Sequence, residues 1–239
     1  MTADIAERYA AAQLISREAG ALALSYFNSF DTLTIESKSH QDFVSEADKN
    51  VETFVRTAIA NAFPEDGIVG EEDAPTQGSS GFTWVIDPID GTTNFIHGIP
   101  QWCVAIAIVQ NAQTVVGVIL DPVQDECNHA MRGAGAFCNE APIHVLKGRA
   151  FTNGSIGVGF SGRTRASGAI VTLIDRIIKA GGVFWRNGSG ALSLAYVAQG
   201  KLLGYVEEHM NAWDCLAGQM MIEEAGGKVE RQNADEMIR

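Results

Sequence analysis

An apolar run, Trp84-Val85-Ile86, leads directly into two carboxylates three residues apart, Asp87 and Asp90, followed by Gly91-Thr92-Thr93-Asn94-Phe95. Pro88 fixes its own φ and donates no hydrogen bond, so a tight bend can bring Asp87 and Asp90 together and turn the Ile89 carbonyl inward. Two carboxylates and a carbonyl are hard oxygen ligands of the kind Mg²⁺ takes. Gly91 lets the backbone approach a ligand, and the N–H groups of Gly91, Thr92 and Thr93 suit a phosphate. Two more acidic places extend the pattern. Gly70-Glu71-Glu72-Asp73 follows the apolar pair Ile68-Val69, and Asp214 stands beside Trp213 at the start of an apolar helix. Singly, each has a plainer reading: an Asx-capped turn, a solvated acidic turn, and a helix N-cap.

These groups need elements to hold them. From Ile5 to Tyr26 the apolar positions fall three or four apart, which predicts a long opening helix. Val51, Phe54, Val55, Ala58, Ile59, Ala62 and Phe63 form the stripe of a second helix, stopped by Pro64 and Gly67. Ile170, Leu173, Ile174, Ile177 and Ile178 mark a third, ended by Gly181-Gly182. Between them lie short apolar or β-branched runs that predict strands: Trp84 to Ile86, Cys103 to Val109, Val115 to Leu120, Ile156 to Phe160 and Leu202 to Val206. Helices first, strands next and mixed elements last predict an α+β fold and not a regular βαβ repeat. Gln77 to Gly81 reads as a mobile surface loop, and a faint boundary between two packed halves falls near Arg149.

Composition narrows the partners. Acidic residues outnumber basic ones, 29 to 17, and a net charge of -12 disfavours nucleic acid or an anionic membrane as the main partner. No stretch approaches the ~18 unbroken apolar residues of a membrane span. The N-terminus is acidic where a signal peptide would be basic, which predicts a cytoplasmic protein. Cys103, Cys127, Cys138 and Cys215 form no C-x-x-C pair and are expected to be buried reduced thiols.

The three segments G-E-E, W-V-I-D-P-I-D-G-T-T-N-F and A-W-D, together with Glu223-Glu224-Ala225-Gly226-Gly227, resemble the signature of the inositol monophosphatase family from near the first residue to near the last. The resemblance implies one domain over residues 1–239, folded as a layered α/β/α/β/α sandwich of the sugar-phosphatase type, and a homodimer sensitive to lithium. It also implies a longer C-terminal end than this chain has. The activity implied is hydrolysis of a small phosphate monoester by metal-activated water with two or three Mg²⁺. myo-Inositol 1-phosphate is the first candidate; histidinol phosphate, fructose 1,6-bisphosphate and bisphosphate nucleotides are alternatives within the family. A regulatory, partner-binding protein on the same fold is the alternative of a different class. The haloacid-dehalogenase phosphatases, with D-x-D-G-T, do not match, because here the acids are three apart.

Residue by residue, the resemblance makes Glu71, Asp87, the Ile89 carbonyl, Asp90 and Asp214 the metal ligands. Thr92 matches the threonine that positions the attacking water, with Glu71 or Asp48 taking its proton, and Gly91 to Thr93 match the phosphate cradle. Lys38 and Ser45-Glu46-Ala47-Asp48 resemble the segment K-x-x-x-D-x-V-T-x-x-D, although Ser45-x-x-Asp48 is equally a capping box. Arg186 to Leu192 resembles R-x-x-G-S-A-A, whose turn contacts substrate hydroxyls, which makes Ala191 a substrate contact; Gly190 departs from the pattern. Glu207, seven residues before Asp214, matches a substrate-binding glutamate.

Overall fold

A computed structural model of the chain describes residues 3–39, 42–160, 168–230 and 232–238. Helix α1 (Ala3–Phe27) is followed by the hairpin β1 (Ile35–Ser39) and β2 (Asp42–Ser45), then α2 (Glu46–Ala62) and β3 (Gly67–Gly70). Next come β4 (Phe82–Asp90), the single turn α3 (Thr92–Phe95), and the strands β5 (Cys103–Gln110), β6 (Gln113–Asp121), β7 (Glu126–Met131), β8 (Gly135–Cys138) and β9 (Ala141–Pro142). The remainder is β10 (Ser155–Val158), α4 (Gly168–Lys179), β11 (Val183–Trp185), α5 (Gly190–Ala198), β12 (Gly204–Val206), α6 (Ala212–Glu224) and α7 (Ala234–Met237).

Strands β3 to β9 form a seven-stranded sheet in sequence order, with β3 parallel to β4 and antiparallel pairing thereafter. Side chains alternate across a strand, so β5 feeds two cores at once. Val104, Ile106 and Ile108 face the cluster under α1 and α2, while Cys103, Ala105, Ala107 and Val109 face the cluster under α5 and α6. The near-continuous apolar run that made this strand visible in the sequence is thus the mark of a sheet covered on both faces. A second sheet, ordered β11-β10-β12 and parallel throughout, sends Trp185 and Tyr205 toward the α5/α6 cluster, while Ile156 and Val158 meet α4. The result is five layers: α1 with α2, the large sheet, α5 with α6, the small sheet, and α4. The faint boundary at Arg149 lies between β9 and β10, but α5 and α6 return to cover the first sheet. No helix among the described residues is long and apolar enough to cross a membrane.

Several expectations change. β10 stops at Val158, so Phe160 lies beyond the strand. Strands β7, β8, β9 and β11 and the β1/β2 hairpin carried no clear apolar pattern. The stretch from Gln77 to Gly81 is pinned: the Ser79 and Ser80 N–H groups donate to the Glu65 carbonyl, and a Cβ on Gly78 would sit 2.2 Å from the Gly67 nitrogen. Cys103, Cys127 and Cys215 are buried free thiols, whereas Cys138 is only half-buried.

One ion pair anchors α1 to the sheet. Arg8 donates from Nε and Nη2 to the two Asp66 carboxylate oxygens at 2.7 Å each. Its guanidinium lies 3.9 Å from the Phe82 ring centroid and 4.6 Å from that of Phe63. Asp66 also accepts from the Trp84 indole at 2.8 Å and the Ser80 hydroxyl at 2.6 Å.

Candidate active site

Strands β4 and β5 pair residue by residue from Phe82 opposite Gln110 to Asp87 opposite Ala105, and the register then slips before Asp90 meets Cys103. That slip is the physical form of the D-P-I-D bend, because Pro88 has no N–H to give the ladder. Asp87 and Asp90 are left 1% and 9% exposed. Gly91 follows at φ 101°, where a Cβ would also meet the Gln101 carbonyl at 3.0 Å, so glycine is required on both counts. Far along the chain, Asn211 is the N-cap of α6 and its N–H donates to Asp214 Oδ2 at 2.9 Å. Asp214 is therefore the third residue of the helix and not its N-cap. One oxygen from each of Asp87, Asp90 and Asp214 lies within 4.8 Å of the others.

The three carboxylates border a cavity of about 900 Å³, lined also by Glu71, Ile89, Gly91, Thr92, Thr93 and Glu207. Its size lies within the range of small-molecule sites. Asp90 Oδ2 accepts from the Ser189 hydroxyl at 2.5 Å and the Ala191 N–H at 2.7 Å. Ala191 is fully buried behind Asp90; Gly190, its neighbour, lines the cavity instead. The Ile89 carbonyl accepts from the Thr92 hydroxyl at 3.1 Å, and Asp48 Oδ1 is the hydroxyl's other acceptor, also at 3.1 Å. Asp48 Oδ2 meanwhile accepts from the Ser45 N–H at 2.8 Å, so one carboxylate both caps α2 and faces Thr92. Lys38 lies in β1, but its side chain is outside the described residues. Glu207 is half-buried at the end of β12 and accepts from the Tyr205 hydroxyl at 2.5 Å.

Burial pushes the Asp87 carboxyl well above the usual range, and the charges of Glu71, Asp90 and Asp214 push it further. Burial also raises Asp90, against the hydrogen bonds from Ser189 and Ala191 that hold its charge. Asp48 is raised by burial as well, with the Ser45 and Thr92 hydrogen bonds opposing. Like charges crowded away from water repel, and a cation among them relieves that repulsion. The donor set, hard oxygens with raised proton affinity, fits a divalent magnesium-like ion.

The sign of the pH effect follows. The folded, metal-free protein binds these protons more tightly than the unfolded chain, so its stability falls as pH rises from the ordinary carboxylate range toward neutrality. Added Mg²⁺ should therefore raise the melting temperature in chelator-treated protein far more at about pH 7.5 than at about pH 5. Equal shifts at the two pH values would contradict the placement of a cation among these carboxylates.

Several site residues carried weaker signals. Ser189 caps α5 by accepting from the Leu192 N–H at 3.3 Å while it donates to Asp90. A serine just before an apolar helix signals the cap, not the second bond. Asn94 donates to the Gln101 and Asn187 carbonyls at 2.6 Å each, tying the segment before β5 to the turn before α5. Tyr205 is identifiable only once β12 places it beside Glu207.

Comparison with known proteins matches residues 4–237 to the model of the inositol monophosphatase family. A Xylella fastidiosa protein named Nus factor SuhB is 39% identical over 215 residues, spanning 90% of this chain and 78% of the relative. An inositol-1-monophosphatase of Rhizobium meliloti is 37% identical over 204 residues, spanning 84% of this chain and 76% of the relative. Among solved structures, the extragenic suppressor protein SuhB from Bartonella henselae aligns with a TM-score of 0.85 at 33% identity, over 90% of this chain and 84% of that one.

Proposed function

The chain belongs to the inositol monophosphatase family, and from that premise we propose that it hydrolyses a small sugar or polyol phosphate monoester with Mg²⁺, myo-inositol 1-phosphate being the first substrate to test. The observation that carries this reading is the convergence of Asp87, Asp90 and Asp214 on one cavity beside the Thr92–Asp48 pair. With Glu71 and the Ile89 carbonyl, those carboxylates would hold two or three ions. Bound there, Mg²⁺ supplies the charge that neutralises a phosphate dianion and lowers the pKa of an attacking water.

The chain's own groups do the rest. The Thr92 hydroxyl can accept the water's proton as it passes its own to Asp48, whose burial raises its affinity for a proton. Glu71 is the other acid able to serve. The backbone of Gly91 to Thr93 would hold the phosphate oxygens. A cytoplasmic homodimer inhibited by Li⁺ completes the reading. The relative named as a Nus factor suggests partner binding as a second reading; the complete carboxylate set favours hydrolysis. The test is phosphate release from a panel of monoesters with Mg²⁺ present and then chelated. Absence of release from every ester with Mg²⁺ would overturn the reading.

Glu207 is the candidate reader of a substrate hydroxyl. Burial raises its carboxyl, Tyr205 and Arg186 favour its charge, and Asp214 disfavours it. A half-buried acid left unpaired by a substrate lacking that hydroxyl gives discrimination of roughly 1–3 kcal/mol. Glu207→Gln should therefore lower kcat/KM on inositol 1-phosphate while changing it little on glycerol 2-phosphate. Equal losses on both esters would place Glu207 in the metal site instead.

A further inference from the structure

The turn that carries Glu71 is held from outside. Gly70-Glu71-Glu72-Asp73 leaves β3 against α2, where Glu52 is fully buried. Glu52 Oε2 accepts from the Glu72 N–H at 2.9 Å, and Oε1 accepts from the Asp73 N–H at 3.0 Å and from Arg56 Nε at 2.7 Å. Arg56 Nη2 then donates to the Asp73 carbonyl at 2.9 Å. A Cβ on Gly70 would fall 2.2 Å from Glu52 Oε1, so the backbone of the turn passes directly over the carboxylate.

A buried carboxylate is costly unless fully paired, and the core around α2 asks only for apolar groups such as Val51, Val55 and Ile59. Every hydrogen bond given above for Glu52 goes to Arg56 or to the two residues that follow Glu71. Glu71 lines the same cavity as Asp87, Asp90 and Asp214, so like-charge repulsion acts to push its side chain away from them and the turn needs a hold. Fixing the peptides after Glu71 fixes the Glu71 Cα and the direction from which its side chain enters the cavity.

We propose that Glu52, locked by Arg56, is a positioning residue that presents Glu71 to the cation site. This rests on the metal-dependent reading above. Groups that orient metal ligands from behind typically change affinity 10–100-fold when altered. The test is calorimetric titration of chelator-treated protein with Mn²⁺, beside its melting temperature without metal. Glu52→Gln should weaken Mn²⁺ binding by roughly 10–100-fold. In a Glu71→Gln background the same change should add almost nothing, because its effect passes through Glu71. Unchanged affinity in Glu52→Gln, or a full additional loss in the double variant, overturns the proposal. Should Glu52→Gln fail to fold, Arg56→Gln keeps the carboxylate and loosens it. It should weaken Mn²⁺ binding in the same direction, and unchanged affinity there is equally fatal. If the unaltered protein itself binds no Mn²⁺, the metal reading fails first and this inference with it, a result distinct from a failure of Glu52 alone.

Discussion

Asp90→Asn should lower phosphatase turnover about a thousandfold, roughly 4 kcal/mol of transition-state stabilisation, while the metal-free protein melts no lower than before. Asn has the shape of Asp, and its amide oxygen can still accept from the Ser189 hydroxyl and the Ala191 N–H. What disappears is one negative charge of the proposed cation site. Its loss also relieves the like-charge crowding at Asp87, which Asp90 helps to raise. A variant that merely disturbed packing would show the opposite pairing, with lower stability and activity that recovers on cooling. Steady-state kinetics at saturating Mg²⁺ and a melt in chelator decide the matter. Activity within about tenfold of the original would remove Asp90 from the metal site.

Asp66→Ala should destabilise the protein by about 3–5 kcal/mol, because it leaves Arg8 charged and unpaired between two aromatic rings and the Trp84 indole N–H without its acceptor. In a chain of this size that is a fall of roughly 10 °C in melting temperature. Burial alone would raise the Asp66 carboxyl, but the bonds from Arg8, Ser80 and Trp84 outweigh it and hold it below its usual range. Its contribution is therefore present above the unfolded carboxyl pKa and is lost as pH falls through the depressed value. The gap between the variant and the parent should narrow under acid, and denaturant titrations at neutral pH and below the unfolded carboxyl pKa measure the narrowing.

That Asp87 and Asp90 come together was legible in the sequence because chemistry and backbone agree there: Pro88, between the two acids, breaks the ladder, and Gly91 after them has a positive φ. Asp48 could be read both as a cap and as the partner of Thr92, and its two oxygens meet both descriptions. The strands hidden from view were hidden by their composition. In β7 the buried Asn128 and His129 break the apolar pattern, yet His129 is satisfied by the Tyr9 hydroxyl and the Asn139 carbonyl, and Asn128 accepts from Gln199. Such partners lie more than sixty positions away for Gln199 and more than a hundred for Tyr9, so no local pattern announces them. Ala191 shows a similar limit: within a glycine-rich turn, which residue lines the cavity depends on a distant strand end, and here the Ala191 N–H is taken up by Asp90 while Gly190 lines the cavity.

The order in which the ribosome delivers the chain has a consequence for the sheet. Strands β4 to β9 pair with their neighbours in sequence, so this meander can close early, with little loop entropy to overcome. Its Val85, Ala105, Ala107 and Ile119 face waits for α5 and α6, which follow all of these strands in the chain. During that interval an apolar sheet face is open to solvent and to other chains, which is the exposure that recruits chaperones and seeds aggregation. Asp214 arrives with the helix that ends the interval. Covering that face and bringing Asp214 to Asp87 and Asp90 therefore depend on the same helix, and a nascent chain cannot assemble the three-carboxylate cluster before α6 is made.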